Sequence, residues 1–394
     1  MNTTVPRDTI PRLHRIVAHT RDQLRGLANG DATFEDCRVR YGHTQRRLAQ
    51  EGRGRSTAPP AGVSERERNW APTRDCLSEL MRLDAVENKP LPSSKRLVNS
   101  YLGETYKLTD HGMYLAELTP DSARFVDELC QGLIAAHPYL QLLLRALEQN
   151  SVRCPTVSEG DLERCRRGTR GWSEWAAERI GDGLLSEMVE KKITEHLGRR
   201  FGHPPTERPS NKALAETMND ALMVAAFAAC NVHLDATTIK TLLRWGSELL
   251  LYDQSRYVPV YPDANVIWLA ADLTRRPGGD LLPARRGIAE YGGRVAHTFR
   301  RAYWEQARKS GSSLAEPYLP IHRLRAQVAY ECAVTRALGD MVLSRLADGD
   351  YPEVAVEVLL HVGMTGLPAS EPAFRHHGRR RLEVTMRNKP QSVS

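Results

Sequence analysis

Asp182 followed by Glu190-Lys191-Lys192 formally matches the Asp…Glu-x-Lys set of nucleases, in which two carboxylates hold magnesium and a lysine steadies the scissile phosphate. That chemistry needs Glu190 and Lys192 on a strand, pointing into one pocket. The surrounding Leu184, Leu185, Met188, Val189, Ile193 and Leu197 are spaced as on a helix, which sets Glu190 and Lys192 about 200° apart. The pattern predicts a solvated helix face with Glu187 and Lys191 paired one turn apart, and a magnesium-dependent nuclease is kept only as an alternative. Other chemistries find less. There is no Gly-x-x-x-x-Gly-Lys-Ser/Thr loop for a nucleotide, and the glycine pairs in Arg276-Pro-Gly-Gly-Asp280 and Tyr291-Gly-Gly293 read as turns or helix interruptions. No Gly-x-Ser-x-Gly occurs. The only adjacent histidines, His376 and His377, lie in an arginine-rich stretch that repels an incoming cation. The expectation is a protein with no catalytic constellation, no metal and no cofactor.

The chain has 394 residues, 41% hydrophobic and 26% charged, enough for two or three domains with cores of their own. That excludes disorder over most of its length. Its seven cysteines, Cys37, Cys76, Cys130, Cys154, Cys165, Cys230 and Cys332, include no Cys-x-x-Cys pair, so neither a disulfide framework nor a zinc ribbon is expected and a reduced, cytoplasmic setting is. The longest apolar run, Ala221 to Cys230, is about half a membrane span, and the N-terminus lacks a signal-peptide pattern. A secreted or membrane-spanning protein is not expected.

Charge is more informative by place than by total. The net charge is +7, yet residues 38–74 carry nine Arg against three Glu and residues 361–394 carry five Arg and one Lys against two Glu, leaving the remainder slightly acidic. Clustering of this kind points to a polyanionic partner, although 46 of the 55 basic residues are Arg, a bias that genome composition alone also produces.

The elements around the first cluster give that charge a frame. Asp8 to Leu27 has helical spacing, Asp31-Ala-Thr-Phe opens a second helix through Arg46 and Arg47, and residues 52–64, GRGRSTAPPAGVS, form a basic loop. A third helix runs through Arg74, Leu77, Leu80, Met81 and Leu83 to the short apolar stretch Asp84-Ala-Val-Glu. The Pro- and Lys-bearing segment NKPLPSSKRLVNSYLGE follows, and then Tyr106-Lys-Leu-Thr-Asp-His-Gly112, where Thr109 caps a further helix. A helix ending Leu-x-Glu-Leu-x-x-Leu, a short strand, a basic loop and a Tyr-x-Leu-Thr-x-x-Gly strand resemble the recognition helix and wing of winged-helix DNA-binding domains. The resemblance covers about 50 residues, or roughly 110 with the first two helices. Two features depart from the pattern: the wing is long, and the loop at 52–64 interrupts where the helix-turn-helix turn is expected. The resemblance implies that Arg66, Arg68, Thr73 and Arg74 approach the major groove and that Lys89, Lys95, Arg96 and Lys107 neutralise phosphates from the wing.

Further along, Thr119-Pro-Asp-Ser starts a helix broken at His137-Pro138, Tyr139 to Leu147 reads as a buried helix, and Arg164, Arg166, Arg167 and Arg170 precede Trp172 and Trp175, which read as core-facing. Residues 198–210 form a linker. A long Ala-rich helix, a helix capped at Asp235 and two strands around Tyr252 and Asn265 repeat the order helix, strand, turn, strand, so a second winged helix or a plain hairpin is expected there. Helices are expected at Ile288 to Lys309, Pro320 to Leu346 and Tyr351 to Val362, and FRHHGRRRLEVTMRNK reads as an edge strand with phosphate-binding arginines or a tail.

The fold expected is mainly α with small β-hairpin wings, a multi-module helical protein containing one or two winged-helix domains. Its modules are 1–118, winged-helix-like; 119–200, helical; 211–272, helical with a hairpin; and 283–394, helical with a basic tail. The function expected is non-enzymatic binding of double-stranded DNA. Size favours a subunit of a larger DNA-acting assembly, in genome maintenance or phage defence, with protein partners and possible self-association, over a transcriptional regulator. A helical scaffold whose winged helices bind protein is the alternative from another class.

Overall fold

The computed structural model describes residues 15–51, 65–89, 105–165, 211–277, 279–311, 316–363 and 373–388. The chain falls into two compact units, Met1–Gln141 with Thr237–Leu249, and Leu142–Ala236 with Leu250–Ser394. This division crosses the modules expected at 119–200 and 211–272. Twelve α-helices and several small antiparallel sheets of two or three strands make up the described residues, so the protein is mainly helical.

In the first unit the order is α1 (Ile16–Leu27), β1 (Ala32–Thr33), α2 (Phe34–Gln50), α3 (Glu65–Arg82), β2 (Val86–Lys89), β3 (Thr105–Leu108), α4 (Asp110–Leu118) and α5 (Ser122–Ala136). Local chemistry sets the boundaries. Thr33 and Asp36 form a reciprocal capping box at the start of α2, Thr109 accepts from the Gly112 amide at the start of α4, and Asp121 accepts from Ala123 and Arg124 at the start of α5. His137 then takes an extended conformation before Pro138, which ends α5 as the sequence predicts. The three strands lie in the order β1-β3-β2, all antiparallel, with Ala32 opposite Tyr106 and Val86 opposite Leu108. Gly112 explains the Leu-Thr-x-x-Gly signature: a Cβ there would lie 1.8 Å from the Ala85 carbonyl oxygen, so only glycine lets α4 approach the chain this closely. The core gathers Leu24, Phe34, Tyr41, Leu77, Leu80, Tyr106, Phe125 and Leu133.

α6 (Pro138–Gln149) runs across the division, and α9 (Ala236–Glu248) belongs mostly to the first unit, where Trp245 packs edge-on to His137. The second unit contains β4 (Val152–Pro155), α7 (Glu159–Cys165), α8 (Asn211–Ala229), β5 (Tyr252–Ser255) and β6 (Ala264–Leu269). It continues with the hairpin β7 (Ala271–Arg275) and β8 (Leu281–Arg285), then α10 (Ile288–Lys309), β9 (Leu319–Pro320), α11 (Ile321–Glu331), α12 (Arg336–Asp348) and β10 (Val356–His361). The last elements are β11 (Phe374–His376), β12 (Arg379–Arg381) and β13 (Glu383–Asn388). Its two three-stranded sheets, β4-β6-β5 and β9-β13-β10, repeat the rule of the first: the last strand in sequence lies in the middle.

The structure corrects three expectations in this unit. Pro320 to Leu346 is two helices, because Ala333 takes a left-handed conformation and Thr335 caps a new start by accepting from the Leu338 amide. Tyr351 to Val362 is a single 3-10 turn followed by β10, since Val356, Val358 and Leu360 alternate at the strand period of two. The C-terminal stretch is no tail and β13 is no edge. Its Val384 and Met386 are fully buried, and β13 pairs with both β10 and β9. The core here is built on Trp268, Phe299, Tyr303, Leu324, Val342 and Phe374, with the Trp268 indole donating to the Val334 carbonyl at 2.9 Å.

Candidate nucleic-acid interface

α3 places its residues by helical period. Asn69, Thr73, Cys76, Leu77 and Leu80 form the buried stripe, so Thr73 faces the core and its hydroxyl donates to the Asn69 carbonyl at 2.6 Å. Thr73 is therefore no groove contact, a correction that the i, i+3, i+4, i+7 spacing of Thr73, Cys76, Leu77 and Leu80 explains. Arg74 lies beside the stripe, partly exposed, with its guanidinium donating to Asp75 at 3.0 Å and its Cζ 5.6 Å from the Trp70 ring centroid. Arg66 and Arg68 belong to the first turns of α3. Lys89 ends β2. Lys107 stands directly opposite Glu87 in the β2–β3 ladder and forms an ion pair with it, which leaves it half-buried and partly neutralised. Lys95 and Arg96 lie outside the described residues, as do Asp182, Glu190, Lys192, Trp172, Trp175 and the linker at 198–210.

The arginines of α2 are engaged within the unit. Arg38 donates to Glu35 at 2.8 Å, Arg40 to the Gln23 side chain at 3.1 Å and Arg47 to Asp22 at 2.8 Å. An open cleft between α1 and α2 is lined by Asp22, Arg25, Arg40, His43, Thr44 and Arg47, and Arg25 also turns inward, donating to the Thr119 hydroxyl and carbonyl at 2.8 Å each. Much of the charge that the sequence concentrates before residue 51 thus serves α1–α2 packing.

The other basic cluster is arranged differently. His377 (φ 47°) and Gly378 (φ 75°) make a two-residue turn with positive φ at both central positions, the geometry that matches the twist of a tight hairpin. Across it Phe374 opposes Arg381, Arg375 opposes Arg380 and His376 opposes Arg379. The turn is latched to α12: His376 Nδ1 meets the Ser344 hydroxyl at 2.7 Å and His377 Nε2 meets Asp348 at 3.0 Å. Burial, with the nearby His377, holds the His376 imidazole below its ordinary value. Asp348, His376 and His377 bring three metal-ligand atoms within 4.8 Å, but in this arrangement those atoms serve as the latch beside four arginines.

Elsewhere in the second unit, charged groups brace the fold. Burial alone would raise the Asp272 carboxyl, but the Tyr291 hydroxyl at 2.6 Å and the Arg286 guanidinium hold it below its usual range. Asp253 accepts from the Arg336 amide at 2.6 Å, tying α12 to β5. Burial and the neighbouring Arg323 and Arg325 push the His322 imidazole down to about 4. Comparison with protein-family models, with curated sequences and with solved structures returns no match.

Proposed function

We propose that this protein binds double-stranded DNA without catalysing a reaction, through a winged-helix module at its N-terminal end. One observation carries the reading: the strand order β1-β3-β2, with α2 and α3 between the first and second strands and the basic segment 90–104 joining β2 to β3. In that arrangement α3 leads into a two-stranded ribbon whose loop bears Lys95 and Arg96. The helix approaches the groove with Arg66, Arg68 and Arg74, while Lys89, Lys95 and Arg96 sit on phosphates and fix register. Lys107 contributes less, because Glu87 already neutralises it.

The order helix, strand, helix, helix, strand, strand recurs from α10 to β13 with the β11–β12 hairpin inserted between the last two strands, again with the last strand in the middle, and supports more than one module of this kind. A chain of several such modules suits a subunit that holds DNA within a larger assembly, in genome maintenance or phage defence, alongside protein partners in the cytoplasm. No helix among the described residues is long and apolar enough to cross a membrane. The test is a binding titration against salt with the variant Lys95→Ala/Arg96→Ala. The slope of log Kobs against log salt should fall by roughly one to two units, with affinity lost on all sequences alike. An unchanged slope would overturn the wing. Absence of any duplex binding, together with a stable hetero-complex on purification, would replace the DNA reading with the protein-scaffold one.

A further inference from the structure

We infer that the β11–β12 hairpin is a second contact for the DNA backbone, built as a rigid arginine-bearing finger; the inference rests on the proposal that this chain binds duplex DNA. The hairpin has two faces. On one, Phe374 is buried in the core of the second unit and His376 is fastened to Ser344, so the finger is anchored rather than free. On the other, Arg375 and Arg380 stand directly opposite one another, both exposed; Arg379, opposite His376, is exposed beside the turn on the first face. Among the described residues none of Arg375, Arg379, Arg380 and Arg381 forms an ion pair, and Arg375 donates to the Gly378 carbonyl at 3.3 Å. The Arg381 Nε is buried and makes no hydrogen bond.

Like charges directly opposite each other in a ladder destabilise it. The free protein tolerates the arrangement because the other face is held by Phe374 and the Asp348–His377 latch, and an anion lying across Arg375 and Arg380 removes the repulsion. Which anion follows from the shape. The hairpin presents the Arg375–Arg380 pair on one face and Arg379 beside the turn, and its two-residue tip, His377-Gly378, carries no apolar side chain to enter a lipid layer. A duplex backbone, with about one charge per 1.7 Å of axis, offers successive phosphates to the Arg375–Arg380 pair and to Arg379 beside the turn.

The experiment uses the full chain and a random-sequence duplex, titrated across salt by fluorescence anisotropy, for wild type, Arg375→Ala/Arg379→Ala/Arg380→Ala and the corresponding triple Lys variant. The Ala variant should lower the salt slope by roughly two to three units while the Lys variant keeps it, since the backbone contact depends on charge. An unaltered slope in the Ala variant, with wild type still binding, overturns the finger and leaves the N-terminal wing intact. Failure of wild type to bind any duplex overturns the broader DNA reading as well. Binding to phosphatidylserine vesicles that the Ala variant loses, without a matching loss on duplex, assigns the finger to a membrane surface and overturns the inference. Circular dichroism melting checks that the exposed substitutions leave the fold unchanged.

Discussion

Helix α2 and the β11–β12 hairpin each carry four arginines, and in the sequence they look alike. In α2, Arg38, Arg40 and Arg47 find Glu35, Gln23 and Asp22 within hydrogen-bonding distance, because the neighbouring helix and the first turn of α2 itself supply acceptors. In the hairpin, the stretch from Phe374 to Arg381 contains no acidic residue, and the turn sets the arginines side by side. The second stretch therefore leaves its charge unpaired among the described residues, while in the first Arg40 and Arg47 are drawn to α1 and Arg38 to Glu35. Segment charge counts side chains, whereas a polyanion responds to those left unneutralised.

That contrast can be broken most forcefully at the anchor of the hairpin. Phe374→Ala should destabilise the second unit by about 3–5 kcal/mol, as for other buried aromatics, measured by chemical denaturation. In the fraction still folded the salt slope should drop as far as in the triple Ala variant; a slope like wild type would mean that the arginines act without the finger's geometry. A smaller effect is expected at Asp22, which accepts from both Arg47 and the Thr44 hydroxyl at 2.7 Å. Asp22→Ala should cost about 1–2 kcal/mol and, by releasing Arg47, raise the salt slope by up to about one unit. If the slope stays flat, the α2 arginines are unavailable to DNA even when unpaired, which sharpens the difference between the two regions.

The smallest effect belongs to the cap that positions α2. The Thr33 hydroxyl and backbone N–H hold the Asp36 carboxyl below its ordinary value of 3.8. The folded chain thus binds fewer protons here than the unfolded one, so the contribution is present above that value and fades as pH falls through and below it. Thr33→Ala should cost about 1 kcal/mol at neutral pH, and its stability should converge with wild type in acid. Equal losses at both ends of the pH range would show that the carboxylate takes no part in the cap.

Legibility followed the range of the interaction. The capping roles of Thr109 and Asp121, the break at His137-Pro138 and the buried stripe of α5 depend on residues within a turn of each other, and each is read directly from spacing. Thr73 lies on the core face that its spacing from Asn69, Cys76 and Leu80 marks, not on the groove face that the winged-helix resemblance implies. The strand at Val356–His361 could likewise be recognised by its alternation. The split between α11 and α12 was marked only by Thr335, whose hydroxyl caps α12; the break itself falls at Ala333, in a left-handed conformation that its side chain does not favour.

The sequence by itself determined a mainly helical chain, the positions of its caps and breaks, and where arginine is abundant, because these depend on neighbours along the chain. Only the tertiary structure decided which arginines are neutralised, that β13 is a central strand, and that the C-terminal basic stretch is a latched hairpin. The physical reason is that pairing, burial and like-charge opposition are set by residues brought together across long stretches of chain. Asp22 meets Arg47 and Asp348 meets His377 only once helices and strands have packed.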